Sequence, residues 1–386
     1  MKQILLLFIL VLAFASCKTA QTPIEVSGVV SCEGDSSVLV HPFITRLSDG
    51  KTFVGDETGY YSVKAVKGDA LAFSYVGTIS DTVKVKSERL DVTLKPNIPG
   101  EDEYVYVDSI RRLQHDLTSF VEKKDARIGI AVIINGKDTV SVNGSRDFPM
   151  MSVFKFPQAL AVADYCQKSG IGLTDSIFIK SEEMKEDTWS PMRDQYGVRD
   201  IKLPVSELID FILQQSDNNA SDVLFRVIGG TSVADSLMKS LGYSDILISH
   251  TEDEMHRDPY LCYLNRTTPI EMARLFDRFY REEMRHDSPF HEFIAASMMS
   301  CQTGLDRLPA PLMHTDAMIG HKTGTGDRNS QGRIMAVNDA GYIYLPDKTG
   351  YAIAVFVADS AYDMTETSKI IADISEIVFK SLIKDK

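Results

Sequence analysis

The sequence predicts a large mixed α/β (α+β) domain, an antiparallel sheet flanked by helices and joined to a helical subdomain, standing behind a small all-β sandwich. Three observations predict it. Residues 24 to 95 hold short apolar runs broken by turn residues, residues 97 to 103 are Pro-rich and acidic without periodicity, and a helical period begins at Tyr104. At 386 residues with 44% apolar content, the chain is long enough for both modules and can bury a full core.

The opening MKQILLLFILVLAFASC has a basic Lys2, an unbroken apolar run from Ile4 to Ala15 and then small residues. That is the layout of a secretory signal rather than a spanning helix, and it predicts an exported protein of a bacterial periplasm or envelope. Ala15-Ser16-Cys17 resembles a bacterial lipobox, which implies cleavage before Cys17 and a lipid on its thiol. An ordinary cleavage after Ala13-Phe14-Ala15 is the alternative. No other segment is apolar enough to cross a bilayer.

Within residues 22 to 96, the runs IEVSGVV, SVLVHPFI, YYSVKAV, ALAFSYV, DTVKVK and LDVTL read as strands. Turn residues such as Ser48-Asp49-Gly50 and Glu57-Thr58-Gly59 separate them. The string from Gly55 to Gly77 resembles a carboxypeptidase-regulatory-like β-sandwich. No clustered His, Cys or carboxylate is found there, so this module reads as a spacer or docking domain for an undefined partner. The Pro96-to-Glu103 stretch marks the boundary, with 97–103 as linker and 104–386 as the second domain.

After Tyr104 come the helix VDSIRRLQHDLTSFVEKK, the strand ARIGIAVII, an Asn135-Gly136 turn and the strand KDTVSV. Strands around GYIYL and YAIAVFVA and the helix TSKIIADISEIVFKSLI close the chain. One sheet completed by both ends, with a mostly helical middle, follows from this order. Asp and Glu number 54 against 41 Lys and Arg, a net charge of -13, which argues against a nucleic-acid partner. Cys32, Cys166, Cys262 and Cys301 show no ligand or disulfide spacing and read as small buried hydrophobes.

S-x-x-K occurs at Ser48, Ser152, Ser236 and Ser381, so alone it says little. Only Ser152-Val153-Phe154-Lys155 opens an apolar helical run, putting the serine at a helix start, where free N-H groups favour an oxyanion, and the lysine one turn on. A serine hydroxyl is a weak nucleophile, and a neighbouring amine is one way to activate it; a simple helix cap is the competing reading. Ser216-Asp217-Asn218 is the single S-D-N and lies on a polar break after VSELIDFILQQ, where a capping turn competes. K-T-G occurs twice. Lys348-Thr349-Gly350 follows Pro346-Asp347 and reads as a hairpin turn, whereas Lys322-Thr323-Gly324 sits in MIGHKTGTG, where a glycine on a strand edge lets a ligand approach the backbone.

These three elements, in this order, are the known signature of class A β-lactamases and penicillin-binding proteins. Residues 104 to 386 resemble class A β-lactamases, most closely the extended-spectrum subgroup, through Asp187-Thr188-Trp189 and the run Ser216 to Asp222. The resemblance implies the β-lactamase/transpeptidase-like fold and a monomeric enzyme without cofactor or metal that acts on β-lactams. It makes Ser152 the nucleophile, Lys155 its partner and Ser216 the proton relay to the lactam nitrogen. Asn218 would hold the substrate amide, Lys322, Thr323, Gly324 and Thr325 the carboxylate and oxyanion region, with Trp189 at the entrance and Arg307 in support. Counting back from Asn265, Glu252 falls where the family carries its water-activating glutamate and His256 where most members carry an asparagine; a solvated acidic run is the alternative. Thr268, Pro269 and Glu271 read as cap, first helical residue and closing acid of a capping box. A DD-peptidase and a non-enzymatic β-lactam sensor remain as competing functions. A metallo-hydrolase lacks a second histidine near His291-Glu292, and an α/β-hydrolase lacks G-x-S-x-G.

Overall fold

The computed structural model describes residues 22–33, 36–96, 101–281 and 288–383, without the side chains of 101–108. The leader and Cys17 lie outside the described residues. Strands β1 (Ile24–Cys32), β2 (Phe43–Arg46), β3 (Lys51–Val54), β4 (Tyr60–Ala65), β5 (Ala70–Ser74), β6 (Thr78–Ile79), β7 (Asp81–Lys84) and β8 (Val92–Pro96) form two four-stranded sheets. Their orders are β4-β1-β8-β6 and β3-β2-β5-β7. Strict alternation in β4 turns Tyr61, Val63 and Ala65 inward onto Val26, Val30, Ile44, Leu71 and Phe73, so the module has its own core.

Helix α1 (Glu101–Val121) begins three residues before Tyr104, so the end of the expected 97–103 linker is already helical. The acidic start of α1 explains the misreading: Glu and Asp lack apolar period yet favour the first helical turn, where they complement the helix dipole. β9 (Arg127–Ile134) and β10 (Asp138–Val142) follow, joined by the three residues Asn135, Gly136 and Lys137; Asn135 and Gly136 take φ of 49° and 64°, and the Lys137 N-H closes the turn on Ile134 O at 2.9 Å. The helical subdomain then runs through β11 (Phe148–Pro149), a 3₁₀ turn (Met151–Phe154), α2 (Lys155–Ser169), β12 (Ser176–Ile179), α3 (Pro191–Tyr196), β13 (Ile201–Pro204), α4 (Val205–Gln214), α5 (Asn218–Ile228), α6 (Thr231–Ser240), α7 (Glu252–Arg257), β14 (Arg266–Thr267), α8 (Pro269–Tyr280) and α9 (Pro289–Met299). The chain returns through β15 (Met318–Thr325), β16 (Ile334–Tyr344), β17 (Gly350–Ser360) and α10 (Met364–Leu382).

Both chain ends complete one antiparallel sheet, in the order β10-β9-β17-β16-β15. Alternate residues of β9 serve two cores. Ile128, Ile130, Val132 and Ile134 pack with Leu113 and Leu117 of α1 and Ile371, Ile374 and Val378 of α10, while Ala131 and Ile133 join the core of the helical subdomain. There α4 buries Val205, Leu208, Ile209 and Ile212 on one face, and Phe156 of α2 stacks on Phe276 of α8 at 4.3 Å between ring centres. The 348–350 K-T-G is the β16–β17 turn, with Lys348 at φ 73°.

At α8, Thr268 caps as expected, accepting from the Glu271 N-H at 3.2 Å, and Pro269 is the first helical residue. Glu271 does not close a capping box, because its carboxylate pairs with Arg274 at 2.8 Å. The box is found at α7 instead, between Thr251 and Glu254. The sandwich touches the second domain through Phe43, which packs with that domain's core, and through Lys51, whose ammonium lies 2.8 Å from Asp245. Among the described residues no helix is long and apolar enough to cross a membrane.

Candidate active site

Ser152 lies in the 3₁₀ turn rather than in the α-helix itself, which begins at Lys155; Met151 just before it has φ 47°. The tight turn still sets Ser152 and Lys155 on one side, with the Lys155 ammonium donating to Ser152 Oγ at 3.0 Å. That ammonium is fully buried and also meets Ser216 O at 2.9 Å, Asn218 Oδ1 at 2.6 Å and Glu252 Oε1 at 2.7 Å. Ser152 Oγ in turn donates to the same Glu252 oxygen at 3.1 Å. A buried ammonium needs such partners to be tolerated, and here every one is an oxygen.

Ser216 occupies the break between α4 and α5 with φ 61°. Asp217 caps α5, accepting from the Ala220 N-H at 2.8 Å, the Met192 N-H at 2.6 Å and the Ser190 hydroxyl at 2.9 Å. Burial pushes its carboxyl up, and these donors oppose the push. Asn218 is held between Lys155 and the Thr188 hydroxyl, to which its Nδ2 donates at 2.9 Å. Trp189 is 60% exposed, but its indole N-H donates to Gln215 O at 2.9 Å, fixing the ring at the rim of the loop that carries Ser216.

β15 is an edge strand, and its first catalytic-motif residue, the buried Lys322, donates to Ser216 Oγ at 3.0 Å and to Thr323 O at 2.9 Å. Burial pulls the Lys322 pKa down to about 7, with Lys155 acting the same way and Cys301, Asp339 and Glu252 opposing. Gly324 has no room for a side chain: a Cβ would stand 2.5 Å from Met150 O and 3.2 Å from Ser152 N. That closeness brings β15 against the turn bearing Ser152, and Asn338 of β16 ties the two by donating to Pro149 O at 2.8 Å and Met150 O at 3.0 Å. Arg307 is buried behind the strand. It donates to Gly324 O at 3.1 Å, Asn338 O at 3.0 Å and Thr325 Oγ1 at 2.7 Å, so it braces the strand and fixes the Thr325 hydroxyl.

Glu252 is the first residue of α7, and the helix start aims it at Ser152 while Glu254 closes the capping box and Asp253 pairs with Arg257. Asp222, whose part was not evident in the sequence, accepts from the backbone N-H groups of Glu252 at 2.9 Å and Asp253 at 2.8 Å. Burial and the nearby Glu252 charge push Asp222 up to about 7, against the pull of the Glu252 N-H and Lys155. Its signal was its place one helical turn after Asn218, on the face of α5 that meets α7. Asn265 was equally unread as a brace. Its side chain accepts from the Ser249 and His250 N-H groups at 2.8 and 2.9 Å and donates to His250 O at 2.8 Å. His256 pairs through Nε2 with Asp187 at 3.0 Å, tying α7 to the Asp187-Thr188-Trp189 segment. Among the described residues no group of His, Cys, Asp and Glu could hold a metal ion, and His291 stacks on Phe279 at 4.2 Å.

The arrangement pairs a nucleophile with a carboxylate and an amine, a hydroxyl beside a second amine, and an edge strand open to a ligand. Residues 112–382 match the Beta-lactamase enzyme family. The chain is 38% identical over 274 residues to a β-lactamase of Phocaeicola vulgatus, spanning 70% of this chain and 85% of that one. It is 33% identical over 265 residues to Beta-lactamase VEB-1 of Pseudomonas aeruginosa, spanning 68% and 88%. The crystal structure of TLA-1 extended-spectrum β-lactamase superposes with a TM-score of 0.69 at 35% identity, covering 72% of this chain and all of that one. A class A β-lactamase from Bacteroides cellulosilyticus DSM 14838 gives 0.68 at 36% identity, covering 72% and 99%. Joined to the geometry around Ser152, these likenesses establish that the chain belongs to the β-lactamase enzyme family, as a class A member.

Proposed function

We propose that the protein hydrolyses β-lactam antibiotics through an acyl-enzyme on Ser152 and so confers resistance. One observation carries the reading: Ser152 Oγ lies within hydrogen-bond reach of both Lys155 Nζ and Glu252 Oε1, which themselves touch. Glu252 and Lys155 both lie within reach of the Ser152 proton, so either can serve as the base of acylation, whereas deacylation rests on Glu252. Ser152 Oγ attacks the lactam carbonyl, whose oxygen develops charge beside the Ser152 and Thr325 N-H groups. The ring nitrogen departs as it takes a proton from Ser216, which Lys322 holds at 3.0 Å. The proton taken from Ser152 passes on to Ser216, replacing the one given to the nitrogen, and in deacylation the ionised Glu252 takes the proton of the attacking water. A DD-peptidase or a sensor would not need that carboxylate beside its serine. Asn218 and Trp189 border the substrate's amide side chain, and Lys322, Thr323 and Thr325 its carboxylate. In this reading His256, paired with Asp187, ties α7 to the segment carrying Trp189 and so steadies the helix that presents Glu252.

The leader supports export to the periplasm or envelope, with Cys17 as a lipid anchor, and the sandwich serves as a carboxypeptidase-regulatory-like spacer or docking module. Mass spectrometry on the intact protein after brief mixing with a cephalosporin tests the chemistry. Ser152→Ala should carry no adduct. Glu252→Gln should keep an adduct that the parent clears, turning over roughly 10²- to 10⁴-fold more slowly. A parent that holds its adduct for hours is a penicillin-binding protein, and a Glu252→Gln variant as fast as the parent removes Glu252 from the reaction.

A further inference from the structure

The docking of the sandwich leaves a cleft of about 490 Å³ between the two modules, within the range of about 300–1,000 Å³ that holds a small-molecule ligand. Both of its flanks are fixed. On one, Phe43 and Val54 pack into the core of the helical subdomain and Lys51 pairs with Asp245; on the other, Val76 packs against the core that the sheet shares with α1 and α10. None of the residues that line the cleft belongs to the site around Ser152.

On the catalytic side, Arg274, Arg278 and Arg281 stand four and three residues apart, so one face of α8 and its C-terminal end presents all three to the cleft. Each is held in place. Arg274 pairs with Glu271 at 2.8 Å, Arg278 donates to Leu241 O at 3.2 Å and to the Tyr243 hydroxyl at 3.3 Å, and both lie over the Tyr243 ring, at 5.7 and 5.6 Å. Arg281 pairs with Asp277 at 3.3 Å and lies against the β9–β10 turn, in the room that a Cβ on Gly136 would fill. Lys137, the next residue of that turn, has no ion-pair partner among the described residues. The sandwich faces these cations with Ser74, Tyr75 and Ser80, and β10 adds Thr139; among the described residues none of these four hydroxyls has a hydrogen-bond partner. Asp138 and Asp277 add acceptors, and Phe43, Ile133 and Ile270 a small apolar patch. Glu271, Asp138 and Asp277 offset three of the four cations, so recognition rests on fixed donors rather than on a strong positive field.

Such a mixture selects its ligand. An apolar molecule would strand the cations and hydroxyls, and a bare inorganic anion would leave the hydroxyls and the apolar patch unused. A sugar ring carries hydroxyls that donate and accept around a C-H face, and a carboxylate takes two parallel N-H···O bonds from a guanidinium. We propose that the cleft between the modules binds a carboxylate-bearing saccharide, its carboxylate against Arg281 and Lys137 and its hydroxyls against Ser74, Tyr75, Ser80 and Thr139. The sandwich is then half of a binding site, and a bound saccharide, touching both modules, tightens their docking.

Titration calorimetry and melting of the full chain test this. The probes are digalacturonic acid, N-acetylmuramic acid and N-acetylneuraminic acid, with the methyl ester of digalacturonic acid as its neutral twin and glucose 6-phosphate and acetate as controls. At least one acidic saccharide should bind with a Kd below about 1 mM and raise the Tm. Its neutral ester and acetate should bind at least about tenfold more weakly, the loss expected when a charge-assisted pair is removed. Lys137→Glu should weaken binding about tenfold or more, and Ser74→Trp, which fills the cleft from the sandwich side, should abolish it. Both variants should hydrolyse a cephalosporin at the parent rate, and Ser152→Ala should bind the saccharide as the parent does, so failure of the hydrolase reading leaves this test intact. Should Ser74→Trp fail to fold, the exposed Lys137→Glu still decides. The proposal is overturned if none of the three acidic saccharides gives heat or a Tm shift, if the neutral ester, glucose 6-phosphate or acetate binds as tightly as the acid, or if neither variant changes binding.

Discussion

At Asp222 a single carboxylate accepts the first two N-H groups of α7, donors that a helix start leaves without intrahelical partners. Each unsatisfied donor costs about 1–3 kcal/mol, so Asp222→Ala frees the segment that aims Glu252. Its turnover should fall about 10- to 100-fold, with the acyl adduct lingering, while Ser152 still acylates; an unchanged adduct lifetime would remove Asp222 from the argument. The pH dependence has a definite sign. With its pKa raised to about 7 in the fold and near 3.8 when unfolded, Asp222 keeps its proton in the native state between those values, and its contribution to stability grows as pH falls through that window. Tm measured from pH 8 to pH 5 should lose that component in Asp222→Ala. The residues of the three motifs were legible because each motif is contiguous and the three stand in order. Asp222 was visible only as the end of a motif, since its partners lie thirty residues on. Ser74, Lys137 and Arg281 left no trace in spacing, because only the docking of the sandwich beside α8 and β10 brings them together.

Among the elements, β15 and the 3₁₀ turn depend on Gly324, where a Cβ would meet Met150 O at 2.5 Å and the Met151 Cβ at 2.8 Å. Both neighbours are held by the chain itself, so Gly324→Ala must part the strand from Ser152. A shift of about 1 Å at a reacting group costs on the order of 10²-fold, and kcat/KM should drop by at least that much. Gly172→Ala, whose Cβ would find only Asp175 Oδ2 at 3.6 Å, should leave both rate and Tm near the parent's. Equal losses in the two variants would mean that the strand contact is not what matters. Element existence was readable from period and turn residues, and element ends less so. The same Thr-x-x-Glu pattern stands at Thr251 and Thr268, and which acid folds back is decided by Arg274, which takes Glu271. Likewise α1 starts at Glu101 because acidic residues suit a first helical turn even where an apolar period is missing.

Across the whole molecule, the two-module order and the split sheet were legible because β-period, linker composition and helical period follow one another along the chain. The contact between the modules was not, since Phe43 and Lys51 look like ordinary strand residues. A chain starting at Glu101 should hydrolyse β-lactams at close to the parent rate, as no catalytic group precedes that point. It gives up the burial of Phe43 against the catalytic core, about 1.5–3 kcal/mol, and a half-screened Lys51–Asp245 pair worth about 1 kcal/mol or less. Calorimetry should find its Tm lower by several degrees, at about 2–4 °C per kcal/mol for a domain of this size. An inactive truncated chain would assign the sandwich a part in the reaction, and a Cys17→Ala variant still in the membrane fraction would remove the lipid anchor. One feature of the site bears on the stability of the whole. Met151 and Ser216, the residue before Ser152 and the serine that Lys322 holds, both have left-handed backbone, which L side chains adopt at a cost of roughly 1–3 kcal/mol each. The burial of the rest of the domain carries that strain, so selection for heat tolerance and selection for turnover pull these two positions in opposite directions.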